Sequence, residues 1–221
     1  PSGGGGAGRC NFVRFDPLVS TTIYVGSPGG GLWKTTNSGT TWATQTDQLA
    51  VIGTTDLAIH PTNPLIQYLA TGDGEAQDTY SIGVLKTTDG GTTWVPTGLS
   101  WLITQGRTIS RLLINPQNPN TLFAATSNGV YRTRNAGATW VQIATAVANM
   151  KDIEYRPGDT TIVYGTSTTL FYRSTNAGTT FATTSTGLPA AASVSRLSVA
   201  VTAANSAYVY VLAANTAYGY Q

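Results

Sequence analysis

A nine-residue pattern recurs four times along this chain, and its spacing leaves few folds open. Lys34-Thr35-Thr36-Asn37-Ser38-Gly39-Thr40-Thr41-Trp42 returns, with substitutions, at 86–94, 132–140 and 173–181. The interval is roughly 40–50 residues, the length of a propeller blade of four short strands. Upstream of each copy an alternating segment runs into a proline: Phe12 to Pro17, Leu57 to Pro61, Leu112 to Pro116 and Ile153 to Pro157. A β-rich segment follows each of these turns, over 22–25, 66–70, 121–125 and 161–164. The same strand–turn–strand signature returns once more at 197–201 and 208–212. Each unit therefore reads as strand A, proline turn, strand B, loop, strand C, corner, strand D.

The expected fold is all-β: a β-propeller of four-stranded antiparallel blades, about four and a half of them, with the ring incomplete. A flexible glycine-rich lead over 1–8 precedes a partial propeller over 9–221. Its blades run over about 9–47, 51–100, 109–144 and 150–187, with a half blade over 193–221. An unclosed propeller exposes strand edges and an apolar face. Remaining blades or another chain are therefore expected to cover the open end.

The corner has its own mechanics. Asn37, Asp89, Asn135 and Asn176 can accept backbone N–H bonds inside the turn. Gly39, Gly91, Gly137 and Gly178 supply a positive φ that most side chains resist. Trp42, Trp94, Trp140 and Phe181 close the corners with rings expected to bury a large apolar area. Asn stands in three of the four copies where the pattern has Asp, so the corner is structural rather than charge-dependent.

Composition removes several function classes. Charged residues are 10% of the chain against 41% hydrophobic ones, a balance that excludes charge-driven disorder. The net charge of +2 comes from scattered basic residues, with no footprint for nucleic acid. No apolar run approaches the roughly 18 residues of a membrane span. Pro1-Ser2 and the glycines that follow read as a lead into a mature domain rather than a signal peptide. Cys10 has no internal disulfide partner and is expected as a small buried hydrophobe on strand A. His60 precedes Pro61, where a turn-exposed or locally bonded imidazole is expected. Standing alone, it excludes a multi-histidine metal site.

At its corners the sequence resembles the Asp-box (BNR) propeller superfamily, of the sortilin-like and xyloglucanase-like kind. That superfamily includes sialidases, xyloglucanase-type glycoside hydrolases, photosystem assembly factors and sortilin-type ectodomains, so one fold hosts many functions. Gly8-Arg9-Cys10-Asn11-Phe12, Gly30-Gly31-Leu32-Trp33-Lys34 and Ala70-Thr71-Gly72-Asp73-Gly74 look most like secreted Bacteroidetes surface proteins exported by type IX secretion. The resemblance implies an extracellular or cell-surface location. Sialidases carry an arginine triad and an Arg-Ile-Pro signature, and the signature is missing here. Arg9, Arg107, Arg111 and Arg196 near the inner-strand starts also read as solvated residues. In xyloglucanase-type hydrolases a catalytic carboxylate follows strand B of the first blade, where this chain has Ser27-Pro28. Glycoside hydrolysis ordinarily needs two carboxyl groups, so no catalytic residue is assigned.

What remains is an acidic loop holding Asp73, Glu75, Asp78 and Tyr80. The meander puts it at the same end as 49–51 and as 98–107, which carries Trp101, Gln105 and Arg107. Carboxylates beside an aromatic, an amide and a guanidinium suit a glycan or a peptide, and these seven residues form the candidate ligand site. The alternative is a solvated loop whose acids cap local N–H groups. Calcium is a further candidate occupant, though the spacing matches no EF-hand loop, and no other cofactor is expected. The leading functional reading is an extracellular binding or adhesion module, part of a larger secreted protein and cargo of a secretion apparatus. Its partners would be a glycan, a peptide or other surface and secretion proteins. The alternative is a carbohydrate-active glycoside hydrolase of xyloglucanase type, with catalytic residues partly outside this chain. A third is a sortilin-like peptide receptor that holds an extended strand inside the tunnel.

Overall fold

Short apolar-polar alternations between tight turns become strands that pair with their sequence neighbours. The computed structural model describes residues 8–76, 79–144, 149–184, 186–215 and 219–220. The first sheet contains β1 (Phe12–Phe15), β2 (Ile23–Ser27), β3 (Gly31–Thr35) and β4 (Ala43–Thr44). The second contains β5 (Thr54–Ile59), β6 (Gln67–Thr71), β7 (Gly83–Thr87) and β8 (Val95–Ser100). The third contains β9 (Ile109–Ile114), β10 (Leu122–Thr126), β11 (Gly129–Thr133) and β12 (Val141–Ala144). The fourth contains β13 (Asp152–Arg156), β14 (Asp159–Thr166), β15 (Phe171–Ser174) and β16 (Ala182–Thr184). The fifth has three strands, β17 (Val194–Val201), β18 (Val209–Asn215) and β19 (Gly219–Tyr220). Every sheet is an antiparallel meander in chain order, so the molecule is a β-propeller of four full blades and part of a fifth.

The blades stack face to face, and apolar burial fills each seam. Phe12, Tyr24 and Leu32 of the first blade meet Leu57, Leu69 and Leu85 of the second. Tyr68 and Val84 meet Leu112 and Ala124 across the next seam, and Phe123 and Val130 then meet Ile153 and Val163. Ile162, Tyr164 and Phe171 meet Val199 at the last. Burying one such side chain is worth about 1.5–3 kcal/mol. The two end faces lack such cover: Val13, Phe15 and Trp33 on the first blade are exposed, as are Tyr208, Tyr210 and Leu212 on the fifth.

The four corners are built alike. Asn37, Asp89, Asn135 and Asn176 each accept, through Oδ1, the N–H four residues on, at 2.9 Å. Each also accepts the hydroxyl of Thr35, Thr87, Thr133 or Ser174, whose oxygen in turn accepts the N–H of the corner glycine. These glycines have φ between 73° and 99°, and the residue before each (Ser38, Gly90, Ala136 or Ala177) is also left-handed. Each corner thus contains two consecutive residues in a region that side chains disfavour.

Two expectations need correction. Trp42 is 40% exposed and its indole N–H bonds locally to Gly39 O, while Trp94, Trp140 and Phe181 are half-buried. The first corner ring thus departs from the expected burial, while Trp94, Trp140 and Phe181 pack against the cores between blades. Cys10 is exposed, because it lies before β1 begins and the strand's alternation does not reach it. His60 behaves as expected, its Nδ1 accepting the N–H of Asn63 at 3.1 Å.

Candidate functional site

β1, β5, β9, β13 and β17 neighbour one another in turn and form the inner wall of the propeller. One register on this wall carries Asp56, Arg111, Asp152 and Arg196, paired with Ala70, Ala125, Thr166 and Ala214 on the adjoining strands. Acid and base thus alternate from the second blade to the fifth. The first blade has Phe12 there, opposite Gly26.

The acids tie blade to blade. Asp56 accepts the N–H of Leu57 on its own strand and that of Leu112 on the next blade, both at 2.9 Å. Asp152 repeats this with Ile153 at 3.0 Å and Val199 at 3.1 Å, and accepts the Ser198 hydroxyl as well. Arg14 binds Asp56 at 2.5 Å, and Arg111 binds Glu154 at 2.5 Å. Arg111 Nε lies 3.6 Å from Asp56 and 3.5 Å from Asp152. Burial works against the charged guanidinium of Arg111, but Asp56, Glu154 and Asp152 outweigh it and raise its pKa. Burial also raises the Glu154 carboxyl, with Arg111 opposing the shift.

The acidic loop lies over this wall. Asp73 is fully buried, caps the N–H groups of Glu75 and Ala76, and pairs with Arg9. Gly74 donates to Thr55 Oγ1 at 3.1 Å and accepts Lys151 Nζ at 3.0 Å. A side chain would not fit at Gly74, where an added Cβ would lie 2.4 Å from the Ile109 carbonyl. Glu75 pairs with Arg196 of the fifth blade. A loop from blade two is thereby fastened to the segment just before β1, to blade four and to blade five.

The expected seven-residue site divides. Asp73 and Glu75 join the axial cluster, and Asp78 lies outside the described residues. Arg107 instead stacks its guanidinium over the Trp101 ring at 5.8 Å, and Trp101 meets Tyr131 edge-on at 6.0 Å. Gln105 accepts the N–H of Leu102, and Tyr80 is exposed. The backbone joins the two groups, Ser81 N–H bonding Arg107 O at 2.8 Å, but the carboxylates turn toward the axis. Arg9, Arg111 and Arg196 are paired rather than simply solvated. Sequence reasoning passed over Asp56, Lys151 and Asp152. The available signal was a charge directly before the apolar residue of each inner strand: Asp56-Leu57, Arg111-Leu112, Asp152-Ile153, Arg196-Leu197.

Every described carboxylate is engaged. Asp16 and Asp159 cap their own turns, Asp47 accepts Thr44 and Asp89 holds its corner. The others are in the axial network. At the end of β2, Ser27 Oγ accepts the N–H of Gly30 at 3.2 Å, so a hydroxyl-capped turn occupies that point. Among the described residues no group of three or more His, Cys, Asp or Glu side chains is placed to hold a metal, leaving calcium without a ligand set there. Among the described residues no helix is long and apolar enough to cross a membrane.

No protein-family model matches the chain. It is similar to the xyloglucanase Xgh74A of Acetivibrio thermocellus, 29% identical over 152 residues that cover 63% of this chain and 18% of that protein. A xyloglucanase of a Paenibacillus species is 28% identical over 152 residues, covering 63% of this chain and 15% of that one. The chain spans less than a fifth of the length of these relatives. An ancestral GH74 enzyme superposes on 100% of this chain and 32% of its own, with a TM-score of 0.73 at 19% identity. At that identity the superposition shows the shared propeller architecture.

Proposed function

We propose that this segment of four full blades and part of a fifth belongs to a carbohydrate-active propeller protein of xyloglucanase type, acting on substituted β-glucan chains outside the cell. The observation that carries this reading is the sequence similarity to xyloglucanases across nearly two thirds of the chain. It favours the hydrolase alternative over the adhesion module, which the relatives do not support. The carboxylates point to a division of labour. Hydrolysis needs two carboxyl groups roughly 5–10 Å apart across the scissile bond. The described carboxylates are committed to backbone N–H groups, hydroxyls or arginines, and the first blade has Ser27 in place of an acid. Among the described residues the segment therefore offers scaffold and glycan contacts, and the catalytic residues lie at least partly elsewhere in the protein. Further blades would cover the exposed faces at Phe15 and Tyr210.

The test compares the whole protein with the 221-residue chain on xyloglucan and on unsubstituted β-glucan. Release of reducing ends is expected from the whole protein, and retardation in a xyloglucan-containing native gel from both. Neither release nor retardation on any β-glucan would sink the reading.

A further inference from the structure

Three contacts repeat across the seams at the outer rim, and each joins a cation to a corner carbonyl. Lys34 donates to Gly90 O at 3.1 Å, Lys86 to Ala136 O at 3.2 Å and Arg132 to Ala177 O at 2.9 Å. The cation is always the first residue of the nine-residue pattern. The acceptor is always the residue before the corner glycine of the next blade. Each cation also pairs in register with an aromatic on the adjoining strand: Lys34 with Tyr24, Lys86 with Tyr68 and Arg132 with Phe123. A corner carbonyl stands outside the strand ladder, and a charged donor gives it a bond of the stronger kind. Lysine and arginine both serve, so the contact selects a cation at a fixed place rather than one side chain.

Arg173 is the fourth member of this series. It holds the same pattern position and pairs in register with Tyr164. Lys34, Lys86 and Arg132 are half-buried, whereas Arg173 is exposed and bonds no described residue. Its surroundings match as well. Lys34, Thr36, Thr41 and Ala43 lie on one wall of a groove of about 330 Å³, and Asp89, Gly90 and Thr92 of the next corner form the other. Arg173, Thr175, Thr180 and Ala182 hold the equivalent positions in a groove of about 390 Å³ lined by the first wall alone.

The neighbouring strands identify what fits this groove. The fifth blade already covers the inner part of the same face, where Val199, Val209 and Val211 pack on Ile162, Tyr164 and Phe171. A blade of another molecule therefore has no room to stack there. Gly219 pairs with Asn215 and Tyr220 with Ala214, in the register of Gly31 with Ser27 and Leu32 with Gly26. β19 thus opens strand C of the fifth blade. In the first three blades Asn37, Asp89 and Asn135 stand six residues after the glycine that opens strand C. We propose that the groove at Arg173 receives the fifth blade's own corner, carried by the segment that follows Gln221 in the whole protein. Arg173 donates to the carbonyl of the residue before that corner's glycine, and an Asn or Asp stands six residues after Gly219. The inference stands on the repeat and not on the carbohydrate reading, so the xyloglucan assays do not decide it.

The experiment is arginine modification by phenylglyoxal, read residue by residue by mass spectrometry, on the whole protein and on the 221-residue chain. Arg132 is the internal reference, since its carbonyl partner on Ala177 lies within the chain. In the whole protein Arg173 should react as slowly as Arg132. In the 221-residue chain it should react about tenfold faster than Arg132, the factor carried by roughly one charge-assisted hydrogen bond. Arg173→Ala should lower the melting temperature of the whole protein and leave that of the 221-residue chain unchanged. Arg173→Lys should keep the whole protein at its original melting temperature, because Lys34 and Lys86 make the same contact. Fast reaction of Arg173 in the whole protein, or no effect of Arg173→Ala there, would overturn the proposal. So would slow reaction in the 221-residue chain, with dilution telling a second copy in the groove from a contact within the molecule. A following segment with neither Asn nor Asp at the stated distance would overturn it from sequence alone.

Discussion

The rim corners and the axial wall both send side chains from one blade to the next, yet the rim repeats one device in every full blade while the axis alternates acid and base. On the rim, Lys34, Lys86 and Arg132 reach the corner carbonyls of Gly90, Ala136 and Ala177 on the following blade. Lys34 and Lys86 also lie over the rings of Tyr24 and Tyr68, each at 5.4 Å. On the axis, Asp56, Arg111, Asp152 and Arg196 share one register; the first three are linked in a single chain of ion pairs and hydrogen bonds from Arg14 to Ser198, while Arg196 pairs with Glu75. A repeated device fails one copy at a time. A chain of charges fails together, because a partner left buried and unpaired carries the cost.

The sharpest way to break this comparison is Asp56→Ala. It strips Arg14 and Arg111 of a partner and leaves the Leu112 N–H without its acceptor. The expected loss is about 3–5 kcal/mol, read by urea unfolding. Combined with Asp152→Ala, which shares Arg111, the two losses should differ from their sum by more than about 0.5 kcal/mol. A loss below about 1 kcal/mol, or strict additivity, would place the axis on the same footing as the rim.

Corner substitutions come next, and their cost should depend on what each corner touches. At Gly178 an added Cβ would lie 2.5 Å from the Phe123 ring, whereas at Gly39 the nearest atom, on Trp42, is 3.7 Å away. Both sites impose a left-handed backbone worth about 1–2 kcal/mol against alanine, and Gly178 adds overpacking of about 1–3 kcal/mol. Gly178→Ala should therefore unfold at clearly lower denaturant than Gly39→Ala. Equal midpoints would mean that φ alone decides the corner.

This contrast also sets what could be read in advance. A corner fits within nine residues, so Asn37, Gly39 and their copies announce a turn, and the period announces the blades. The hydroxyls of Thr35, Thr87, Thr133 and Ser174 stand in plain view within the pattern, but a Thr or Ser two residues before the Asn signals a turn less strongly than Asn and Gly do. Trp42 misled because ring burial depends on the neighbouring strands rather than on the corner. The axial site could not be read in this way. Lys151 and Gly74 meet across 77 positions, and no local pattern records that meeting. The acidic loop did announce a special segment. The direction its carboxylates take depends on arginines just before β1 and in the fifth blade.

A smaller effect separates the corners from one another. Ala136 and Ala177 adopt φ of 55° and 53°, where the second corner has Gly90. Ala136→Gly should relieve left-handed strain while adding unfolded-state entropy, for a net gain of up to about 1 kcal/mol. Destabilisation in a melting experiment would show that the methyl's contacts outweigh the strain.

The smallest effect concerns charge on the rim, where the chain contains its own control. Asp89 holds its corner with a carboxylate, and Asn37, Asn135 and Asn176 hold the same turn with an amide. The Thr93 hydroxyl first, then the Thr93 N–H and the Thr87 hydroxyl, keep the Asp89 carboxyl well below the usual carboxylate range. An unfolded aspartate titrates near pH 4, roughly. Because the folded value is lower, the bonding to the ionised form stabilises the protein fully above that pH and is lost as the pH falls toward the folded value. Asp89→Asn should therefore match the wild type least well near neutrality and approach or overtake it in acid, whereas Asn135→Ala should cost the same at every pH. Asp89 is exposed and its bonds are screened by solvent, so the shift is read as a difference between two acid-unfolding curves. Parallel curves would mean that the carboxylate and the amide are interchangeable at this turn, and that the rim's repetition extends to its electrostatics as well as its shape.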